Sequence, residues 1–202
     1  SIYTLGAENG NSVFVVSALR ILNGINSAIV GAPTSNVNTT SGKVRLYAGG
    51  DIGEETKKLE TSIGYLEGKS TAGSVWVHNA GLLTVGGLSG PNGIDASAGS
   101  VNLSASSPIV VNNHILALND IVLTASESAD PDYDHLTVNA FKLTATFGDI
   151  TLQAGDNISI DETAVILAGG DLNIVSIDDA SDVGGTTFDI SGFITVTDKL
   201  EI

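Results

Sequence analysis

The sequence predicts an all-β fold, a right-handed parallel β-helix of about eight or nine coils with loop insertions, on three observations. The first is a returning phrase: a turn residue, a polar residue, then aliphatic, any, aliphatic, any, small. It reads Gly-Lys-Val-Arg-Leu-Tyr-Ala from Gly42, Gly-Ser-Val-Trp-Val-His-Asn from Gly73, Gly-Ser-Val-Asn-Leu-Ser-Ala from Gly99 and Gly-Asp-Ile-Thr-Leu-Gln-Ala from Gly148. Weaker copies start at Asn11, Asn119, Gly170 and Gly192, so successive starts are 31, 31, 26, 20, 29, 22 and 22 residues apart. Nearly constant strands with variable spacers fit a solenoid whose loops differ in length. The second observation is the period of two inside each phrase, the signature of a strand with one buried face. Val101, Leu103 and Ala105 are expected to point inward, Asn102 and Ser104 outward. The third is that further strand-like runs follow each phrase, giving about three strands per coil and hence a triangular section. They are Ile150 to Ala154, Ile158 to Ile160 and Val165 to Ala168 in one coil, and Val101 to Ala105, Ile109 to Val111 and Ile115 to Leu118 in another.

Taken in chain order, Val13 to Leu22 fits the strand phrase, although residues 1–41 hold the least regular coils. Gly49 to Lys58 reads as a loop, with Glu54 to Glu60 able to form a short helical turn. Ser126 to Asp134, with a Pro and clustered Asp that no central strand accepts, is the clearest insertion. Asp178 to Thr187 is a second. Glycine mostly precedes strands, where a tight turn is expected to use its freedom in φ. Ile194, Val196 and Ile202 keep the strand rhythm to the end without a cap, an edge open to end-to-end self-association. The whole of 1–202 is read as one β-helix domain, a fragment of a longer rod; no signal peptide is recognisable at Ser1, and the missing initiator Met fits a processed or excised chain.

Composition narrows the classes. Only 5% of the chain is aromatic, with no Met and no Cys, so the core must be built of Val, Ile, Leu and Ala, which stack well on pleated sheets. The net charge of −15 is uneven: residues 1–101 carry −1 and residues 102–202 carry −14, with two basic side chains in the second half. Such a surface repels phosphate backbones and argues against nucleic acid as a partner, while it attracts cations. No stretch approaches the roughly 20 apolar residues of a membrane span, so no membrane insertion is expected.

The runs Gly-Asp-Ile-Thr-Leu-Gln-Ala-Gly-Asp-Asn-Ile-Ser-Ile (148–160) and Gly-Ser-Val-Asn-Leu-Ser-Ala-Ser-Ser-Pro-Ile-Val-Val-Asn (99–112) resemble the repeat regions of filamentous haemagglutinin-like proteins. The likeness covers most of residues 42–202. It implies a right-handed parallel β-helix in a large exported bacterial protein, at the cell surface or outside the cell, often an adhesin. The family's secretion domain carries Asn-Pro-Asn motifs; here Gly90-Pro91-Asn92 has Gly in place of the first Asn. The resemblance supplies no binding residue.

Residues able to carry chemistry are few. Gly68-Lys69-Ser70 looks like the end of a phosphate-binding loop, but Ile63 stands where that motif needs its first Gly. His78, His114 and His135 lack the spacing of a zinc site. Paired carboxylates at Asp178 and Asp179 would serve a polysaccharide-processing β-helix, yet no basic partner is near in sequence, and the chain is read as non-catalytic. Asp130, Asp132 and Asp134 alternate as oxygen ligands for calcium would, although His135 and Phe141 stand where an EF-hand loop has Gly and Glu; calcium is the one candidate cofactor. With successive phrases in register, Phe14, Arg45 and Trp76 form one outward ladder beside Val16, Tyr47 and His78. Arg45, Tyr47, Trp76 and His78 are thus candidate ligand-binding residues, stacking on sugar rings of a host or matrix glycan or meeting a host protein, with Arg45 over Trp76 as the competing arrangement.

Overall fold

Three inward residues of each phrase set how the chain winds. In the run beginning at Gly148, Ile150, Leu152 and Ala154 alternate with Thr151 and Gln153. The first three are buried, and each stacks on the same position one turn away. The computed structural model describes residues 12–25, 35–39, 42–88, 93–106, 108–127, 133–178 and 186–202, and its 21 strands form a parallel β-solenoid of about six turns. No residue among those described is helical.

The N-terminal strands are β1 (Ser12–Ser17), β2 (Val37–Asn38), β3 (Lys43–Ala48), β4 (Leu59–Ser62) and β5 (Tyr65–Ser70). Regular three-strand turns follow. The first is β6 (Val75–Asn79), β7 (Leu83–Val85) and β8 (Ile94–Ala96); the second is β9 (Val101–Ala105), β10 (Ile109–Val111) and β11 (Ile115–Ala117). The third is β12 (Ile121–Ala125), β13 (Leu136–Val138) and β14 (Lys142–Ala145); the fourth is β15 (Ile150–Ala154), β16 (Ile158–Ile160) and β17 (Val165–Ala168). The last is β18 (Leu172–Ser176), β19 (Phe188–Ile190) and β20 (Phe193–Val196), and β21 (Leu200–Glu201) begins another.

Three faces result. One is the sheet β2-β4-β6-β9-β12-β15-β18-β21. The second stacks β7, β10, β13, β16 and β19, and the third β8, β11, β14, β17 and β20. The last two fuse at β5, whose Tyr65 and Leu66 pair with β7 while Gly68 and Lys69 pair with β8. Strand β5 therefore runs straight across a corner at which every later turn bends.

The core is a set of aliphatic ladders. Val75, Val101, Ile121, Ile150 and Leu172 form one rung series, and Val77, Leu103, Leu123, Leu152 and Ile174 the next, all buried. The third series is Asn79, Ala105, Ala125, Ala154 and Ser176, small because the chain turns there onto the next face. Each large aliphatic rung taken fully out of water contributes about 1.5–3 kcal/mol, which a flat run of Val, Ile and Leu supplies without aromatics. At the top of the small series Asn79 is fully satisfied. Its Oδ1 accepts from Thr61 Oγ1 and Ile63 N, and its Nδ2 donates to the carbonyls of Ile63, Gly81 and Leu82.

The strand boundaries expected for the turns from Gly99 and Gly148 hold to within one residue. The count of eight or nine coils does not. Phrases from Gly73, Gly99, Asn119, Gly148 and Gly170 start β6, β9, β12, β15 and β18 on one face, whereas those from Asn11, Gly42 and Gly192 start β1, β3 and β20 on another sheet. The same phrase serves any face with one buried side, so not every copy opens a new turn. The helical turn expected within Glu54 to Glu60 is instead a tight turn closed by paired hydrogen bonds between Glu54 and Lys57, running into β4.

The glycines before strands also have a different cause from the one expected. Positive φ occurs at Gly53, Gly81, Gly86 and Gly87, not at Gly73, Gly99, Gly148 or Gly170. A β-carbon on these four would lie 2.3 Å from Asp51 Oδ1, 2.5 Å from Ser74 Oγ, 2.3 Å from Asp120 Oδ1 and 2.2 Å from Asp149 Oδ1, respectively. The missing side chain leaves room for an oxygen from the preceding turn.

Candidate functional site

That oxygen belongs to a ladder along one corner of the solenoid. Asp51 Oδ1 accepts the N–H of Ser74 at 2.9 Å, and Ser74 Oγ that of Ser100 at 3.0 Å. Asp120 Oδ1 accepts from Asp149 N at 3.0 Å, Asp149 Oδ1 from Asp171 N at 2.8 Å, and Asp171 Oδ1 from Lys199 N at 2.9 Å. Each acceptor immediately precedes a buried aliphatic and satisfies a corner N–H of the next turn. The recurring Gly-Asp/Ser-aliphatic triplet carried this signal, but its partner lies 22 to 29 residues away for the aspartates.

The four outward-facing candidates fall on two faces. Phe14, Arg45 and Glu67 are in register, as are Val16, Tyr47 and Lys69. Trp76 and His78 lie on β6 instead, beside Asn102 and Ser104 of β9. The expected Phe14–Arg45–Trp76 ladder is thus replaced, because the 31 residues between Gly42 and Gly73 carry the chain past β5 and onto another face. Arg45 does not cover Trp76: its Nη2 and Nε donate to Glu67 Oε2 at 2.6 and 3.0 Å. Glu67 is 0% exposed at the fork of β5, and its Oε1 accepts the N–H of Leu88 at 3.2 Å. Arg45 and Glu67 therefore fasten the chain at Leu88, just after β7.

Around His78 lies a second polar group. His78 Nδ1 is 3.0 Å from Ser104 Oγ, which also accepts from Lys58 Nζ at 3.0 Å. Burial lowers the Lys58 pKa, partly opposed by the Glu60 carboxylate. Serine, histidine and a desolvated lysine are the residue types of a nucleophile and its base. Here the serine is buried on β9 and bonded to both other side chains, a position suited to packing.

Tyr47 reaches a different feature, a shallow hollow of about 210 Å³ bordered by Tyr47, Lys69, Asp95, His114 and Leu116 over Ile94. Tyr47, Lys69, Asp95 and Leu116 are consecutive outward rungs of β3, β5, β8 and β11. Lys69 Nζ lies 2.9 Å from Asp95 Oδ2. Burial works against ionisation of Asp95, but hydrogen bonds from Lys69 and Ser97 and the ammonium charge outweigh it and hold the carboxyl below its usual value. The same bond and charge raise Lys69. Tyr47 meets Phe14 edge-on with centroids 5.2 Å apart, and His114 meets Phe141 likewise at 5.5 Å. An aromatic ring and an ion pair around an apolar floor suit a sugar, which offers both C–H faces and hydroxyls. Of these residues sequence reasoning singled out Tyr47 as a ligand candidate; Lys69, Asp95 and Leu116 needed the fork at β5 to be aligned with it.

Gly68-Lys69-Ser70 lies within β5 and is no phosphate loop. Asp130 and Asp132 lie outside the described residues, as does Asp179; Asp178 is described, its N–H donating to Ser176 Oγ. Asp134 is fully buried at the corner before β13, and its N–H donates to Asp156 Oδ2 at 2.6 Å. No helix among the described residues is long and apolar enough to cross a membrane.

Compared with protein-family models, curated proteins and solved structures, the chain matches none. The class defined by its geometry is the parallel β-solenoid.

Proposed function

We propose that this chain is a non-catalytic segment of a large exported bacterial surface protein of the filamentous haemagglutinin type, which projects binding surfaces away from the cell. The observation that carries the reading is the continuity of the stack. Backbone ladders on three faces, and a corner hydrogen-bond series running from Asp51 to Ser100 and again from Asp120 to Lys199, tie each turn to its neighbour. Such an array is stiff, and its loops can vary without disturbing the ladders. The Tyr47–His114 hollow is the surface this rod would present, with a host or matrix glycan as occupant. A glycan panel probed with the purified chain and with Tyr47→Ala tests this: binding that Tyr47→Ala abolishes supports it. Binding unaffected by Tyr47→Ala, or no binding at all, removes the hollow as the presented surface.

A second reading, a self-assembling extracellular filament, has one observation in its favour. Leu200, which extends the buried ladder of Ile150 and Leu172, is 48% exposed, and Phe193, which follows Lys142 and Val165 on an outward-facing row, is 65% exposed. Open strand edges beside exposed apolar rungs are surfaces on which another turn can pair. Light scattering and negative-stain microscopy decide it: polymers that Phe193→Asp disperses support assembly, and a monomer at high concentration excludes it.

A further inference from the structure

The corner between β12 and β13 brings carboxylates from successive turns together in the interior. Leu136 pairs with Ile158, so Asp134 and Asp156, each two residues earlier, stack on successive turns. Both are buried, at 0% and 1% exposed. Two hydrogen bonds join them: Asp134 N–H donates to the Asp156 side-chain oxygen Oδ2 at 2.6 Å, and Asp156 N–H donates to the Asp134 carbonyl at 3.1 Å. Neither side-chain oxygen of Asp134 has a hydrogen-bond partner. Glu127 enters the same space, since a β-carbon on Gly155 would lie 2.0 Å from Glu127 Oε2 and 3.0 Å from Asp134 Cβ.

An ionised carboxylate removed from water without a donor or a cation is among the costliest groups a fold can bury. Residues 102–202 contain two basic side chains, Lys142 and Lys199. Lys199 pairs with Glu201, and among the described residues no Lys or Arg forms an ion pair with Asp134 or Asp156. We propose that Asp134, Asp156 and Glu127 bind a calcium ion at this corner, pinning the base of the Ser126–Asp134 insertion to the next turn. Hard carboxylate oxygens, without nitrogen or sulfur, select calcium over transition metals. The described residues hold no ready-made cluster of three such ligands. Asp134 supplies the fixed carboxylate, and Asp156 and Glu127 turn onto the ion.

The test uses the whole chain. Differential scanning calorimetry in 1 mM calcium chloride is compared with the same run in EDTA, and the wild type rises by about 3 °C or more. Asp134→Asn loses that rise and in EDTA melts no lower than the wild type, because it removes a buried charge. No calcium-dependent rise in the wild type, a rise retained by Asp134→Asn, or an equal rise with magnesium chloride overturns the proposal. Should Asp134→Asn fail to fold, Glu127→Gln on the half-buried flank replaces it, read by calorimetric titration with calcium chloride. Affinity lowered about tenfold or more supports the site, and unchanged affinity overturns it.

Discussion

Asp149 Oδ1 accepts the backbone N–H of Asp171, one turn further along the solenoid, at 2.8 Å, and stands where a β-carbon on Gly170 would have to go. One oxygen thus explains the first two positions of the repeated triplet: the aspartate supplies the acceptor, and the glycine one turn later makes room for it. Gly170→Ala should therefore destabilise the chain by about 1–3 kcal/mol through overpacking. Gly24→Ala, with nothing within 4 Å of its β-carbon, should be near neutral. Because the clash is with the Asp149 side chain, adding Asp149→Ala should restore part of the loss. A double-mutant cycle from urea denaturation checks the coupling.

The acceptor can be separated from its charge. Asp120, Asp149 and Asp171 follow one another along the same corner, so three carboxylates are linked by hydrogen bonds to backbone N–H groups in series. Asp149→Asn keeps an oxygen acceptor and removes one negative charge; it should be neutral or slightly stabilising at low salt, with the gain fading as salt screens the repulsion. Asp149→Ala removes the acceptor and should cost about 1 kcal/mol or more. Chemical denaturation of both variants at low and high ionic strength distinguishes the two effects.

Most of the fold was legible because a solenoid repeats its instructions. The alternation of Ile150, Leu152 and Ala154 with Thr151 and Gln153 fixes which side is buried, and the next two runs fix the other faces of that turn. What could not be read was the phase between distant copies. The phrases at Gly42 and Gly73 look alike, yet β3 and β6 lie in different sheets, since β5 crosses a corner without a break. That single fork separates Arg45 and Tyr47 from Trp76 and His78 and brings Tyr47 to Lys69 and Asp95. The role of Asp134 was half legible: its loop drew attention as acidic, but its stacking on Asp156 depends on a register set by Leu136 and Ile158.

The Lys69–Asp95 pair sets a small pH dependence whose sign is fixed. The Asp95 carboxyl is held below its ordinary value in the folded chain, so its contribution is present above the unfolded carboxylate pKa and lost as pH falls through the lower folded value. Lys69 is raised, so its contribution is complete below the ordinary lysine value and lost as pH rises through the folded one. Both groups are partly exposed and water screens them, so the pair is worth about 1 kcal/mol or less. Asp95→Asn should therefore lower stability slightly at neutral pH and make no difference in strong acid, where the wild-type carboxylate is protonated. Denaturation midpoints of the two proteins from neutral pH down through the acid range check this.

Glu67 presents the sharper case, because it is fully buried where β5 spans the two later faces. Two guanidinium bonds from Arg45 and one from the Leu88 N–H satisfy it. Removing the arginine leaves a buried carboxylate short of its counter-charge, whereas removing the carboxylate leaves a guanidinium already in reach of water. Arg45→Ala should accordingly cost about 3–5 kcal/mol, and Arg45→Ala combined with Glu67→Gln distinctly less than that single change. The loss should also be local: hydrogen exchange at Leu88 and along β5 and β7 should quicken in Arg45→Ala, while β15 and β18, four and five turns away, keep their protection. Uniform loss of protection along the whole solenoid would show instead that the fork is a keystone for every turn, and that the N-terminal coils cannot loosen without the rest.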